Sequence, residues 1–150
     1  MRNYLLKVPD HQWNASSPAK SSIQNLKIQY LGTAGFILSD QHRTIVLDPF
    51  ISRPNFWQTF TQPLLSDPTL VKKYIPNADD VLIGHAHYDH ILDAPEVCKQ
   101  TGARLIGSQA TLMYGRSAGL SESQMLETKG REVIECGQWQ VVGLPSIHGK

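Results

Sequence analysis

Three histidines and an aspartate lie within one short stretch, His85, His87, Asp89 and His90, which directly follows the apolar run at 81–84. Residues two apart on an extended segment point to the same side, so the imidazoles of His85 and His87 can approach one ion. Imidazole nitrogen and carboxylate oxygen are ligands for zinc, and also for iron or manganese. A polar loop that is merely rich in histidine is the alternative, but buried imidazoles without a ligand would need many hydrogen-bond partners. The stretch therefore predicts a metal site.

Short strands and helices must position this cluster. Apolar and β-branched runs bounded by turn residues predict strands at 27–31, 36–38, 44–47, 81–84 and 104–107, and a hairpin of 132–136 with 138–142. Helix start and stop residues predict helices at 69–74, at 93–100 and from Ser108 to about 116. The histidine stretch should therefore lie between a strand and a helix.

Residues 49–68 contain four prolines and four large aromatic residues, and they are predicted to be irregular. Long loops in compact domains are often lids or binding loops. The aromatic side chains could instead cover the edge of the sheet. The sequence leaves these two interpretations open.

Composition limits the function classes. The chain has 150 residues, and its 14 Lys plus Arg and 13 Asp plus Glu give a net charge of +1, which argues against a broad basic face for nucleic acid. No apolar run approaches the roughly 18 residues that suggest a transmembrane segment. The two cysteines, Cys98 and Cys136, are far apart and form no disulfide framework. These features predict one cytoplasmic globular domain, or part of a larger one.

The pattern His-x-His-x-Asp-His after a strand resembles the metallo-β-lactamase superfamily. The turn at Gly32-Thr33-Ala34-Gly35 and the strand that ends at Asp48 occur in the same order in that superfamily, and 31–36 followed by 47–49 looks most like its lactonase and phosphodiesterase-like branch. The resemblance implies an α/β (α+β) fold, an αββα sandwich of which this chain supplies mainly the first half. It also implies a domain at 27–150 that is incomplete at its C-terminal side, while the polar composition before it predicts a lead-in segment at 1–26.

The resemblance also implies roles for individual residues. His85, His87 and His148 correspond to ligands of a first metal ion, and Asp89 and His90 to ligands of a second. Asp48 corresponds to a supporting acidic residue that orients an imidazole. Zinc is the expected metal, as one or two ions, with manganese or iron as alternatives. In this sequence no Asp follows Asp93 and no His follows His148, so neither the bridging ligand nor the final ligand of the second ion has a candidate.

The implied activity is hydrolysis of an ester, lactone or phosphodiester bond in a small molecule by metal-activated water. Asp89 is the expected catalytic residue, because its carboxylate could orient the attacking water or accept its proton. The alternative is a truncated metal-binding fragment without turnover, which associates with a second copy through its incomplete sheet. Asp93 is open to two roles, as a supporting partner of the metal site or as the N-cap of the following helix.

Overall fold

The computed structural model describes residues 26–144. Almost all of the predicted lead-in, together with His148, lies outside the described residues. Within them, a six-stranded sheet has the order β1-β2-β3-β4-β5-β6, and a second sheet contains β7 and β8. The strands are β1 Lys27–Gly32, β2 Gly35–Ser39, β3 Thr44–Leu47, β4 Asp80–Leu82, β5 Arg104–Gly107, β6 Met125–Glu127, β7 Val133–Cys136 and β8 Trp139–Val142.

The main sheet changes from antiparallel to parallel at β3. Strands β1, β2 and β3 form an antiparallel meander, whereas β3–β4, β4–β5 and β5–β6 are parallel pairs. Leu47 at the end of β3 pairs with Leu82 at the end of β4. The segments that follow these two strands therefore leave the sheet side by side, at the same edge.

The predicted helices are confirmed to within one residue at each end. The helices are α1 Phe56–Thr61, α2 Pro68–Tyr74, α3 Tyr88–Ile91, α4 Ala94–Thr101 and α5 Gln109–Ser117, with a short 3-10 helix at Glu122–Gln124. Ser108 caps α5 by accepting a hydrogen bond from the backbone N–H of Thr111. None of the helices in residues 26–144 is long and apolar enough to cross a bilayer.

The segment predicted to be irregular contains a helix, so the prediction for 49–68 is wrong in part. The side chain of Asn55 accepts a hydrogen bond from the backbone N–H of Gln58, and the side chain of Gln58 accepts one from the backbone N–H of Asn55. This capping box satisfies donors that the first turn of α1 would otherwise leave unpaired.

Two apolar clusters cover opposite faces of the main sheet. Val46, Val81 and Leu105 face the helices. Ile45 and Ile106, their neighbours along the strands, pack against the β7–β8 hairpin. Successive side chains on a strand alternate between faces, which explains the division. The hairpin thus begins a second sheet layer, and the fold class predicted from the sequence is confirmed.

Asp40, in the turn between β2 and β3, anchors this hairpin. Its Oδ2 accepts hydrogen bonds from Nε2 of Gln138 at 2.6 Å and Nε1 of Trp139 at 2.7 Å. Its Oδ1 accepts from the backbone N–H groups of His42 and Arg43. These hydrogen bonds, with that of Gln138 the strongest cause, hold the pKa of Asp40 well below its usual range.

The Asp40 contacts predict an acid-sensitive hairpin. Because the folded-state pKa is depressed, the stabilisation is complete above the ordinary value of 3.8 and is lost as the pH falls below it. We expect Asp40→Ala to speed amide hydrogen exchange in 133–142 at pH 6, with the difference from wild type shrinking as the pH falls below 3.8. Equal exchange in the two proteins at pH 6 would show that the hairpin does not depend on this carboxylate.

Candidate metal centre

The structure brings three of the predicted ligands together. His85 and His87 lie between β4 and α3, and α3 carries Asp89 and His90. The ring centroid of His85 lies 4.6 Å from that of His87 and 3.9 Å from that of His90. The strand ends at Leu82, so bends rather than a continued strand aim His85 and His87. The expected clustering of the imidazoles is present, although the continuous strand on which it was argued ends before His85.

Asp48 lies at the same edge of the sheet because it follows β3. Its φ of 40° places it in the left-handed region, which aspartate tolerates better than most residues. Its Oδ1 accepts a hydrogen bond of 2.7 Å from the backbone N–H of Gly84. A Cβ at position 84 would lie only 3.1 Å from Oδ2, so glycine is the residue that fits beside this carboxylate. Sequence reasoning missed Gly84, although its place between a strand and the first motif histidine was a usable signal.

The imidazole of His90 lies between two carboxylates. Its Nδ1 is 3.0 Å from Oδ2 of Asp48, and its Nε2 is 3.6 Å from Oδ2 of Asp89. The shorter approach does not have the direction of a hydrogen bond, and Nδ1 is a buried nitrogen without a hydrogen-bond partner. An unsatisfied buried nitrogen is typical of a functional site.

The donor types in this cluster fit a divalent metal, because imidazole and carboxylate are ligands that zinc, manganese and iron all accept. Within residues 26–144, no three His, Cys, Asp or Glu side chains are arranged to hold one ion. The third predicted ligand of the first ion, His148, lies beyond residue 144. The described residues thus contain candidate donors, of which the Asp89 side chain is 36% exposed.

An apolar cavity of about 350 Å³ borders the centre. It lies between the main sheet and the hairpin, and Phe36, Leu82 and Ile134 are among its lining residues. Asp48 and Gly84 form its boundary toward the histidines. This cavity offers an apolar volume next to the charged cluster.

Asp93, three residues after His90, is fully buried. It occupies the N-cap position of α4, but its side chain makes no capping hydrogen bond. Its carboxylate instead accepts hydrogen bonds from the N–H of Ile51 at 2.5 Å, the N–H of Ser52 at 2.8 Å, and the hydroxyls of Ser52 and Ser66, both at 2.5 Å. Both ends of segment 51–66 are thereby attached to the junction between α3 and α4.

Removing this carboxylate should release the segment. We expect Asp93→Ala to lower the free energy of unfolding by about 2–4 kcal/mol, since several hydrogen bonds to a charged group are lost together. Hydrogen exchange should become faster in 51–67 while the strands β3 to β5 keep their protection. Glu96→Ala is the matched control, because it removes a carboxylate from the first turn of α4, the helix that Asp93 precedes. If both variants leave exchange in 51–67 unchanged, Asp93 does not anchor the segment.

Comparisons with known proteins agree with this architecture. Residues 43–148 match the sequence model of a family described as the beta-lactamase superfamily domain. The chain is 29% identical over 120 residues to a UPF0173 metal-dependent hydrolase from Methanopyrus kandleri, covering 76% of this chain and 47% of that protein. It is 32% identical over 113 residues to one from Methylacidiphilum infernorum, covering 75% and 45%. The chain therefore spans about half the length of the curated relatives it matches.

A solved structure has the same fold. Igni18, described as a novel metallo hydrolase from Ignicoccus hospitalis, superposes with a TM-score of 0.52 at 25% identity, covering 73% of this chain and 42% of that protein. The matched region of the family model includes the whole histidine cluster and Asp48. Sequence match, strand order and motif position thus agree, and the chain belongs to the beta-lactamase superfamily.

Proposed function

We propose that this chain is the metal-binding part of a hydrolase that acts on an ester, lactone or phosphodiester bond of a small molecule. The observation that carries the proposal is the approach of three imidazoles and two carboxylates at the ends of β3 and β4. The printed description of its relatives as metal-dependent hydrolases supports the reaction class.

In this proposal, His85, His87 and His148 hold one divalent ion, and Asp89 and His90 contribute to a second position. Zinc is the metal that we expect, with manganese or iron as alternatives. A bound ion of this kind lowers the pKa of its water toward about 7, which supplies hydroxide at neutral pH.

Two carboxylates, those of Asp89 and Asp48, have the remaining roles in this proposal. Asp89 is partly exposed beside the histidines, so its carboxylate can orient the attacking water and accept its proton. The hydrogen bond from the N–H of Gly84 holds the Asp48 carboxylate 3.0 Å from Nδ1 of His90, where it can orient this imidazole. The cluster thus combines a base with a positioned imidazole.

The test uses the full chain, purified without a polyhistidine tag or chelators, and measures metal content by elemental analysis together with hydrolysis of ester, lactone and phosphodiester substrates. We expect bound metal, and turnover that stops when the metal is removed and returns when zinc or manganese is added. Turnover that ignores metal removal would refute the proposal. Metal binding without turnover, together with a dimer in sedimentation analysis, would support the self-associating fragment instead.

A further inference from the structure

We propose that a cavity beside Arg53 binds a small organic anion, in which a carboxylate or phosphate group is attached to a ring. The cavity has a volume of about 310 Å³ and lies between β1, the start of segment 51–66 and the end of α2. None of its lining residues is acidic or is a predicted metal ligand; they are Gln29, Tyr30, Leu31, Ile51, Arg53 and Tyr74. We call this cavity the Arg53 pocket. Its assignment does not depend on the proposed reaction.

Main-chain carbonyls hold the guanidinium of Arg53 in one position. Its Nη2 donates a hydrogen bond of 2.5 Å to the carbonyl of Leu31, and its Nε donates one of 3.2 Å to that of Phe50. A guanidinium has five N–H groups in a rigid fork, so these two bonds leave three N–H groups for an acceptor in the pocket. Because the side chain is already positioned, it loses little conformational freedom when it binds an anion.

The charge of Arg53 has no counter-ion in the described part of the chain. Arg43 and Arg104 share a buried carboxylate, whereas Arg53 is exposed and forms no ion pair with a described residue. A second cation lies nearby, since Nζ of Lys73 is 5.0 Å from the ring centroid of Tyr74 in the pocket wall. The pocket is therefore positively charged, and the planar fork of an arginine matches carboxylate or phosphate oxygens.

Two unusual backbone conformations place this guanidinium. Arg53 has a φ of 37°, in the left-handed region that residues with a side chain rarely adopt. Gly32 has a φ of 95°, and a Cβ at this position would lie only 1.7 Å from Nη2 of Arg53. Glycine is thus the residue that lets the guanidinium reach the carbonyl of Leu31. Strained residues are concentrated at ligand-binding sites, which favours recognition over a purely structural role for Arg53.

The remaining walls of the pocket indicate the body of the ligand. Leu31 belongs to the apolar cluster on the helix side of the sheet, and Ile51 packs against this cluster. Tyr74 is 44% exposed at the end of α2. The volume lies at the lower end of the range of about 300–1,000 Å³ that is usual for small-molecule sites. A bare phosphate ion would leave these walls in water, whereas a ring would cover them.

The experiment titrates the zinc-loaded full chain with benzoate, phenylphosphonate and inorganic phosphate, and follows the backbone amide resonances by NMR. We expect saturable shifts at 29–32, 51–53 and 74, and the tighter of the two ring compounds identifies the preferred oxyanion. Arg53→Met should raise the Kd at least about tenfold, because a charged hydrogen-bonded pair is lost. Arg131→Met is the matched control, since Arg131 is also exposed and has a φ of 71°, but does not line the pocket.

A second variant, Gln29→Glu, leaves the hydrogen bonds of Arg53 in place. Gln29 is exposed on β1 and lines the pocket, so a carboxylate there would compete with the ligand for the guanidinium. We expect the Kd to rise about two- to fivefold in this variant, with unchanged thermal unfolding.

Four results would overturn the proposal. Saturable shifts confined to 85–90 would place the anion at the candidate metal centre instead. Equal losses of affinity in Arg53→Met and Arg131→Met would show attraction by overall charge only. The absence of any saturable shift at millimolar ligand would show that the pocket binds none of these anions. Inorganic phosphate that binds as tightly as the ring compounds would contradict the assignment of an organic ligand.

Discussion

Replacing His87 by alanine is expected to abolish tight metal binding and, with it, any hydrolysis. His87 is the N-cap residue of α3, and its ring lies beside that of His85. Loss of outer partners of metal ligands usually lowers metal affinity about 10- to 100-fold, and loss of a ligand itself should exceed this. Titration of the apoprotein with zinc, followed by elemental analysis, measures the effect.

His42→Ala is the matched control for this substitution. His42 is an exposed histidine in the turn between β2 and β3, where its backbone N–H rather than its imidazole donates to Asp40. This variant should bind metal like wild type. Because His87 is exposed, His87→Ala should keep the wild-type circular dichroism spectrum, which separates ligand loss from unfolding. Unchanged zinc affinity in His87→Ala would show that His87 is not a metal ligand.

Replacing Asp80 by alanine is expected to cause a large loss of stability. Asp80 is fully buried at the start of β4. Its two oxygens accept hydrogen bonds of 2.7 Å from Nε of Arg43 and from Nε of Arg104. Breaking a buried ion pair costs about 3–5 kcal/mol, because the remaining charge loses its partner. The two arginine side chains are 24% and 38% exposed, so water can solvate their guanidinium groups when the carboxylate is removed. We therefore expect the free energy of unfolding, measured in urea, to fall by about 3 kcal/mol.

The neighbouring carboxylate provides the control. Asp79 is exposed, and its side chain accepts one hydrogen bond, from the N–H of Thr44 at 2.7 Å. Asp79→Ala should therefore lower the free energy of unfolding by only about 1 kcal/mol. Equal losses in the two variants would mean that the Asp80 network is no stronger than a single surface hydrogen bond.

The sequence predicted the elements with the clearest local signals. Short apolar runs identified strands β1 to β5 and the hairpin, and cap residues such as Ser108 located the helices. Strand β6 was missed because it has only three residues and depends on pairing with β5. Helix α1 was missed because prolines on both sides suggested an irregular loop, although Asn55 and Gln58 formed a readable capping box.

The candidate site was predicted to the extent that its residues are close in sequence or at strand ends. The spacing of His85 and His87 predicted their approach, a turn was expected to bring His90 to them, and the family resemblance implied that Asp48 lies beside them. The partners of Asp93 lie 27 to 42 residues away, so no local pattern could indicate them. His148 as a ligand stays a prediction, since it lies outside the described residues.

The Asp93 attachment has a consequence for how the sequence of this segment could change in evolution. The carboxylate binds main-chain N–H groups and two serine hydroxyls, and none of the residues of α1 enters the apolar core. Outside the capping box of Asn55 and Gln58, changes between residues 54 and 65 should therefore have little effect on the apolar core. Under the proposed function, a lineage could change residues 54–65, and with them a surface near the candidate site, without changing the proposed metal ligands.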